Sequence, residues 1–346
     1  MKVGYLRYGK NSGPRMRCLS MFANMHDVDF FYFNPERIDR ERKIIKGLFF
    51  DKKTGNFVEK ETTYPDIIDD QPTFRIKYPE LFKDLLPKSF FLFTSLNGKN
   101  FIYKTLAQNG YSKYLIETYN YKDIELDDVL RKHGKLVIKP NRSGGGQNIY
   151  KLSSDNDFYY LHFEHNVEKM TPSEFKEKYD SKFRNIYIVQ NYIDSTTKQG
   201  NPFDVRVNAR RGKNGAWSLR KMFVRIGSSS GVVSNIATGG SIGYYVNKFL
   251  LAEFGNDWRN IYDELLTIGK VMPDVMQRGY KDKLDDLGFD VAINRSNNEL
   301  KFFEVNTFTD PITYNLEALE ARFEYYMYLY KNIKELHSIQ KANIKL

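Results

Sequence analysis

Val137-Ile138-Lys139-Pro140-Asn141-Arg142-Ser143-Gly144-Gly145-Gly146-Gln147-Asn148-Ile149 is a β-type run that ends in a lysine and continues into three glycines. Pro140 has no N–H to donate, so the strand should end there. Apolar residues resume at Ile149, which predicts a hairpin with a glycine-rich tip. Glycine lets backbone N–H groups approach a bulky anion, and a nearby ammonium adds positive charge. The pattern favours a flap over a nucleoside triphosphate. The alternative is a hairpin loop with an incidental lysine.

Composition excludes several classes of protein. A chain of 346 residues is too long for one compact core, and two or three packed subdomains are expected. The content of 41% hydrophobic and 28% charged residues is typical of a globular protein rather than a disordered one. No run of about 18 or more apolar residues occurs, so we expect no membrane span.

The single cysteine, Cys18, excludes an internal disulfide and a CxxC metal site. The start of the chain has no signal-peptide h-region, so we expect a cytoplasmic location. The net charge of +10 favours anionic partners such as nucleotides and phosphorylated or carboxylated substrates. Nucleic acid is disfavoured because the basic residues are spread along the chain and no RRM, zinc-finger or helix-turn-helix pattern occurs.

Periodicity and turn residues divide the chain into three predicted segments. Residues 1–95 read as a small α/β unit. Residues 96–192 begin with a helix whose first residues include Lys99, and they contain the flap and a capping box at Thr171–Glu174. The helix dipole does not favour a cation at that position, so Lys99 indicates either an anionic ligand or a solvated surface lysine. Residues 193–346 are rich in strands.

Two helices are predicted in the third segment. Apolar residues recur at intervals of three and four from 257 to 280, which predicts an amphipathic helix that Pro273 kinks or splits. A second stripe predicts core packing by five residues near the end of the chain, namely Leu316, Leu319, Phe323, Met327 and Tyr330.

Residues 203–210 alternate between apolar and polar side chains, as expected for a strand. The polar face carries Asp204, Arg206, Asn208 and Arg210. Such a face fits a sheet with one solvated side, and it would also suit a cleft that binds phosphate. The next strand, up to Arg225, should pair with it after a glycine-containing turn.

Two further strands predict a metal site. Residues 287–294 and 300–306 read as a hairpin, with Asp290 in one strand and Glu304 and Asn306 in the other. Residues two apart in a strand lie on the same face. Two carboxylates and an amide form an all-oxygen set, which hard Mg²⁺ binds together with phosphate oxygens. No HExxH pattern accompanies the single cysteine, so the sequence offers no zinc site.

The order of these features along the chain resembles that of the ATP-grasp family. The similar elements, in chain order, are Lys99, Val137-Ile138-Lys139 with its glycine loop, Ile188–Ile193, Asp204-Val205-Arg206, Ser234-Asn235 with Gly239-Gly240, Asp290 and Glu304-Val305-Asn306. The set formed by Arg206, Ser234-Asn235 with Gly239-Gly240, and Glu304-Val305-Asn306 is similar to that of the ribosomal-protein glutamate ligases. The first part, with Phe33-Asn34-Pro35-Glu36 and Pro65-Asp66-Ile67-Ile68, resembles the YheC/YheD group, which is named for spore-coat association.

The resemblance implies an α/β (α+β) ATP-grasp fold, with an N-terminal pre-ATP-grasp subdomain and ATP between two α+β subdomains. It implies that a first set of residues binds ATP: Lys99, Lys139, Ser143, Gly144, Gly145, Gly146, Gln190 and Tyr192. Arg206, Arg225 and Asn235 would act at the reaction centre. Asp290, Glu304 and Asn306 would hold two Mg²⁺ ions, with Mn²⁺ as the alternative metal.

The activity implied is that of an ATP-dependent carboxylate–amine or carboxylate–thiol ligase that forms an acyl phosphate and releases ADP and phosphate. Its partners would be a small-molecule or peptide carboxylate and an amine acceptor, and the oligomeric state, with a homodimer as one option, is open. Two alternatives remain: an ATP-binding spore-coat or cell-surface-associated protein with little catalysis, and a small-molecule kinase. The residues after Asn306 differ from the Ser/Thr-x-Pro-Gly common in the family, which leaves the acceptor open.

Overall fold

The computed structural model describes residues 1–9, 14–71, 73–141, 148–155, 157–164, 166–227, 240–307 and 316–344. Within these ranges the chain forms three β-sheets with helices packed against them. The mixed α/β class predicted from the sequence is therefore confirmed. No helix in the described ranges is long and apolar enough to cross a membrane.

The first sheet has a parallel centre and an antiparallel edge. Its strands are β1 (Lys2–Leu6), β2 (Asp29–Phe33), β3 (Ile38–Asp39), β4 (Ile44–Asp51), β5 (Asn56–Thr63), β6 (Ile67–Asp69) and β7 (Phe90–Phe91). The order is β3-β4-β2-β1-β6-β7, with β5 paired to β4, and β2, β1, β6 and β7 run parallel. Helices α1 (Pro14–Met25), α2 (Phe74–Lys77) and α3 (Pro79–Leu85) connect these strands.

The second sheet is antiparallel and contains the hairpin predicted around the glycine-rich tip. Its strands are β8 (Thr118–Asn120), β9 (Lys135–Pro140), β10 (Tyr150–Ser154), β11 (Tyr159–Phe163), β12 (Asn166–Met170) and β13 (Tyr187–Asn191), in the order β12-β11-β10-β9-β13-β8. Its helices are α5 (Leu126–His133) and α6 (Pro172–Phe183), and α4 (Lys99–Gln108) precedes it. The predicted capping box is confirmed, because Thr171 and Glu174 bond to each other's backbone N–H.

The third sheet is also antiparallel, with the order β16-β15-β14-β17-β18. Its strands are β14 (Phe203–Arg211), β15 (Trp217–Ile226), β16 (Ser241–Gly243), β17 (Asp286–Ile293) and β18 (Leu300–Asn306). The helices of this part of the chain are α7 (Val246–Phe254), α8 (Trp258–Gln277), α9 (Leu316–Lys331) and α10 (Ile333–Asn343).

One face of the third sheet packs on α8, and the opposite face carries the polar side chains. Val205, Val207 and Ala209 have no exposed surface, as the alternation in β14 predicts. Of the two explanations given for this face, the solvated side does not hold at Asp204 and Arg210, which are only 2% and 4% exposed. Other parts of the chain cover this face, and its charged groups neutralise one another there.

One alternative given for α8 and part of the stripe predicted in α9 need correction. Pro273 does not split α8, which runs through it from Trp258 to Gln277. The residues next to it, such as Met272 and Val275, are buried, so core packing offsets the loss of one helical hydrogen bond.

In α9, Leu319 and Phe323 are buried as predicted. The other three residues of the stripe, Leu316, Met327 and Tyr330, are 60%, 37% and 42% exposed. The buried face includes Tyr325 and Tyr326 instead, because α9 packs on the first sheet beside α1.

Candidate active site

The three predicted metal ligands lie together on the polar face of the third sheet. Asp290 in β17 is opposite Glu304 in β18, and Gly288 is opposite Asn306. The Asn306 amide donates to Asp290 Oδ2 at 3.2 Å and to Glu304 Oε2 at 3.4 Å. The hairpin predicted from the sequence thus places two carboxylates and an amide within contact of one another.

Both arginines predicted to act at the reaction centre bind Asp290. Arg206 lies opposite Asp290 in the strand register and holds the carboxylate through two nitrogens, with Nη2 2.9 Å from Oδ2. Arg225 Nη2 lies 3.0 Å from the same Oδ2, and its guanidinium also binds Asp204 at 2.7 and 2.8 Å. Two carboxylates and two guanidiniums therefore form one connected network.

This network sets the charge of Asp290. The side chain is 4% exposed. Burial alone would raise the pKa of its carboxyl, but Arg206 and Arg225 outweigh burial and hold the pKa below its ordinary value. Asp290 is therefore ionised at neutral pH, as a metal ligand must be.

Lys99 approaches the same group from α4. The helix begins at Lys99, and Gly98 in the N-cap position offers no side-chain cap. The ammonium lies 3.6 Å from Glu304 Oε1. The free N–H groups at the start of the helix and the Lys99 ammonium thus lie beside the predicted metal ligands, where an anion would be stabilised.

Lys139 joins the second sheet to the third. It lies near the end of β9, is 7% exposed, and donates to the Phe303 carbonyl at 3.3 Å. Burial, followed by the charge of Lys99, lowers the pKa of Lys139 to about 7. Among the described residues, the Phe303 carbonyl is the one hydrogen-bond partner of this ammonium. An anionic ligand would improve the surroundings of such a buried charge.

Gln190 and Tyr192 lie on β13 and just after it. Gln190 is 2% exposed, and its Nε2 donates to the Tyr103 hydroxyl at 2.9 Å and to Thr118 Oγ1 at 2.7 Å. The backbone N–H of Tyr192 donates to the Lys135 carbonyl at 3.1 Å. The donors of the Gln190 amide and of the Tyr192 backbone are therefore already bonded, so any nucleotide contact there would have to use acceptor atoms.

Several predicted site residues lie outside the described ranges. They are Ser143, Gly144, Gly145, Gly146 and Asn235. The flap and the third reaction-centre residue therefore stay predictions from the sequence.

Two residues of this neighbourhood were not predicted as site residues. Tyr103 binds Gln190 and donates to the Phe302 carbonyl at 3.4 Å, so it links α4 to the second and third sheets. No sequence signal marks it, because the apolar periodicity of α4 follows other residues. Asp204 binds Arg225, and its place in the alternation of β14 next to Arg206 was the available signal.

The donor chemistry of the set fits Mg²⁺. Glu304 keeps its carboxylate partly exposed, and its charged contact to Lys99 is loose at 3.6 Å. Two carboxylates and an amide oxygen are ligands that hard Mg²⁺ takes together with phosphate oxygens. In the described part of the chain, no group of three or more His, Cys, Asp or Glu side chains is placed to hold a metal. Phosphate or water oxygens would therefore have to complete the coordination.

Sequence comparison relates the chain to two curated proteins of Bacillus subtilis (strain 168). It is 22% identical over 331 residues to the endospore coat-associated protein YheD, which covers 86% of this chain and 70% of YheD. It is also 22% identical over 280 residues to the endospore coat-associated protein YheC, which covers 77% of each chain.

The fold and a family model agree with these relatives. The structure is similar to that of D-cycloserine synthetase DcsG, with a TM-score of 0.52 and 10% identity over 94% of this chain and 99% of that one. At this identity the likeness shows the fold, which is that of the ATP-grasp proteins. The sequence model of the YheC/D-like ATP-grasp family matches residues 89–330, which is more than half of the chain. The chain therefore belongs to the YheC/D-like ATP-grasp family.

Proposed function

We propose that the chain is an ATP-dependent ligase that joins a carboxylic acid to an amine or a thiol. One observation carries this proposal. Lys99 of α4 and Lys139 of β9 both approach the carboxylates of Glu304 and Asp290. Arg206 binds Asp290 at the same place. Cations for phosphate and oxygens for Mg²⁺ thus occur side by side. The family and the fold support an ATP-dependent ligase in general.

In this proposal, Asp290, Glu304 and Asn306 hold two Mg²⁺ ions, or Mn²⁺, that offset the charge of the ATP phosphates. Lys99 and Lys139 bind the phosphates, and the Gln190 and Tyr192 region binds the adenine. The residues 143–146 close over the phosphates, and Asn235 lies near the reaction centre. Arg206 and Arg225 stabilise charge on the phosphate that is transferred. The cytoplasmic location also stays a prediction.

The reaction has two steps. A substrate carboxylate oxygen attacks the γ-phosphorus of ATP, and the bond between that phosphorus and the β,γ-bridging oxygen breaks. The products are an acyl phosphate and ADP. The amine or thiol then attacks the acyl carbon, phosphate leaves, and the nucleophile loses a proton. The protein's contribution is positioning and electrostatic stabilisation of the transferred group.

The test measures ADP and phosphate release with Mg-ATP against pools of amino acids, peptides and hydroxy compounds, with hydroxylamine as an amine trap. A hydroxamate that requires one particular acid is the expected result and identifies that acid. ATP turnover that yields a phosphorylated product without a hydroxamate would show a kinase instead. Nucleotide binding without turnover against every pool would favour a binding role.

A further inference from the structure

A lysine and an asparagine lie on the polar face of the third sheet, beside the candidate active site. Lys221 of β15 is directly opposite Asn208 of β14, and the irregularity in this strand pair comes only after Asn208. Opposite residues of two paired strands, and residues two apart in one strand, project from the same face. Lys221 and Asn208 therefore stand on the face that carries Arg206 and Asp290, about 7 Å farther along the strands.

The charge of Lys221 is not balanced within the described part of the chain. Three arginines of this face each bind an aspartate, in the pairs Arg206–Asp290, Arg225–Asp204 and Arg210–Asp286. Lys221 is half-buried, and no carboxylate of the described residues forms an ion pair with it. Its ammonium lies 4.3 Å from the ring centroid of Tyr244. The ring attracts the ammonium but does not neutralise it. The positive charge of Lys221 is therefore available to an anion from outside the chain.

The side-chain oxygen of Asn208 also lacks a partner. Its Oδ1 is buried and accepts no hydrogen bond from the described residues, whereas buried polar atoms in native proteins are almost always satisfied. Its neighbour in β17 is Gly288, which has no side chain to donate. Asn306 lies beyond Gly288 in the same row, but its amide donates to the two predicted metal carboxylates. A donor from outside the chain therefore has to satisfy Asn208.

Tyr244 borders this region at the edge of the sheet. It follows β16, in which Ile242 pairs with Arg225, so Tyr244 lies on the same face as Arg225. Its side chain is 50% exposed. The sheet order places β16 on the side away from β17 and β18, which carry the predicted metal ligands. Lys221 and Asn208 thus lie between an exposed aromatic edge and those ligands.

We propose that Lys221 and Asn208 bind the amine substrate, and that this substrate is an α-amino acid with a free carboxylate. The carboxylate pairs with the Lys221 ammonium, and an N–H of the amine donates to Asn208 Oδ1. A single carbon atom separates the two groups of such a substrate. Neighbouring strands lie about 4.8 Å apart, so adjacent side chains can hold both groups at once. This inference rests on the proposed ligase function and names the class of its amine acceptor.

The position suits the second step of the proposed reaction. A neutral amine that donates one N–H to Asn208 keeps its electron pair free for attack. Asn208 lies in the same strand as Arg206, which is proposed to stabilise the transferred phosphate. In this step the nitrogen forms a bond to the acyl carbon, the bond from that carbon to the phosphate oxygen breaks, and a proton passes from the nitrogen to water. A thiol, or an amine without a carboxylate, would leave Lys221 without an anion.

The experiment measures amino-acid binding to the full chain by saturation-transfer NMR, once without nucleotide and once with Mg-ADP. The probes are the protein amino acids, each compared with the amine that lacks its carboxylate, such as methylamine for glycine and ethylamine for alanine. Lys221→Met removes the cation, Lys221→Arg retains it, and Asn208→Ala removes the acceptor. Lys248→Met is the matched control, because Lys248 is exposed and lies 4.9 Å from the ring centroid of Tyr245.

At least one amino acid should bind the wild type and Lys248→Met more tightly than its matched amine does. Its Kd should weaken at least about tenfold in Lys221→Met and in Asn208→Ala, and Lys221→Arg should recover part of the affinity. The matched amine should bind the wild type and Lys221→Met equally. The proposal is overturned if no amino acid binds better than its amine under either condition. Equal binding of the amino acid to the wild type and to Lys221→Met would overturn it as well.

The measurement requires no ATP turnover, so it separates this inference from the ligase proposal. Amino-acid binding that depends on Lys221 in a chain without ligase activity would keep the binding site and refute its role for an acceptor. Ligase activity with an amine whose KM is the same in Lys221→Met and the wild type would refute the site and leave the ligase function.

Discussion

Asp290 is the residue on which the candidate site depends most. Its carboxylate is buried and binds both Arg206 and Arg225, whereas Glu304 is partly exposed and its ion pair with Lys99 is loose at 3.6 Å. These two of the three predicted metal ligands therefore contribute very differently to stability, although both are expected to be essential for activity.

Exchanging each carboxylate for its amide tests this difference. Asp290→Asn leaves two buried guanidiniums without their shared anion, and removing one partner of such a group costs about 3–5 kcal/mol of unfolding free energy. Glu304→Gln should cost less than about 1 kcal/mol, because its ion pair is loose and partly exposed. Both should abolish ADP release with Mg-ATP. Urea unfolding measures the unfolding free energy of each variant. Equal losses in Asp290→Asn and Glu304→Gln would contradict the predicted difference between the two carboxylates.

Lys139 carries a prediction about nucleotide binding. Its ammonium is buried with one carbonyl partner in the described part of the chain, and its pKa is lowered to about 7, so it destabilises the ligand-free protein more than an apolar side chain would. Lys139→Met should leave the unfolding free energy equal or higher. It should weaken ATP binding at least about tenfold, or about 1.4 kcal/mol, in titration calorimetry. Lys104→Met, an exposed lysine on α4, is the matched control and should change neither quantity.

Among the elements, the strands of the third sheet were the most predictable. The alternation in β14 and the hairpin of β17 and β18 fix which residues share a face, so Arg206, Asp290 and Glu304 could be placed together from the sequence. The sequence could not show that Arg225 would bind Asp290, because the register of β15 determines that contact. It also could not show that the face is buried, since that depends on residues distant in the chain.

The middle strand of the first sheet gives a prediction at the scale of an element. A Cβ at Gly4 in β1 would lie 2.7 Å from Phe33 Cε1 and 2.9 Å from Pro65 Cγ. Both atoms belong to rigid rings beside β1, so they cannot move aside easily. Gly4→Ala should therefore lower the free energy of urea unfolding by about 1–3 kcal/mol. At Gly243 in β16 the nearest atom is 3.7 Å away, and Gly243→Ala should change stability by less than about 0.5 kcal/mol.

At the scale of the whole molecule, the last helices of the chain pack against the first sheet. Helix α9 follows the third sheet in sequence and contacts both it and the first sheet, since the Ala318 carbonyl accepts from Arg210 and Arg322 binds Asp69. Gln340 of α10 bonds to the backbone of Phe91. In a similar way, α4 packs on the core of the third sheet. The predicted boundaries at residues 95 and 192 thus separate the sheets but not the packing. The local sequence contains no signal for contacts over such separations.

Asp285, which lies beside Asp69, Asp70, Asp286 and Arg322 between the first and third sheets, makes stability depend on pH. The folded-state pKa of Asp285 is about 7, above the value of about 3.9 for an unfolded chain. Folding therefore takes up a proton between these values. The stability that this group contributes is complete below about pH 4 and is lost as the pH rises through about 7. Asp285→Asn cannot ionise, so the variant should gain unfolding free energy relative to the wild type as pH increases from 5 to 8, by about 1–3 kcal/mol.

Comparing the two proteins at each pH isolates Asp285, because the other groups titrate in both. His337, for example, has a lowered pKa through burial and acts in the opposite direction near pH 6. Urea unfolding at pH 5, 6, 7 and 8 provides the measurement. The control is Asp263→Asn, which removes an exposed carboxylate of α8. A free-energy difference between variant and wild type that stays constant from pH 5 to 8 would mean that Asp285 is already ionised in the folded state. The junction of the sheets would then hold four charged carboxylates beside Arg7, Arg210 and Arg322, with Arg75 at 3.8 Å from Asp70.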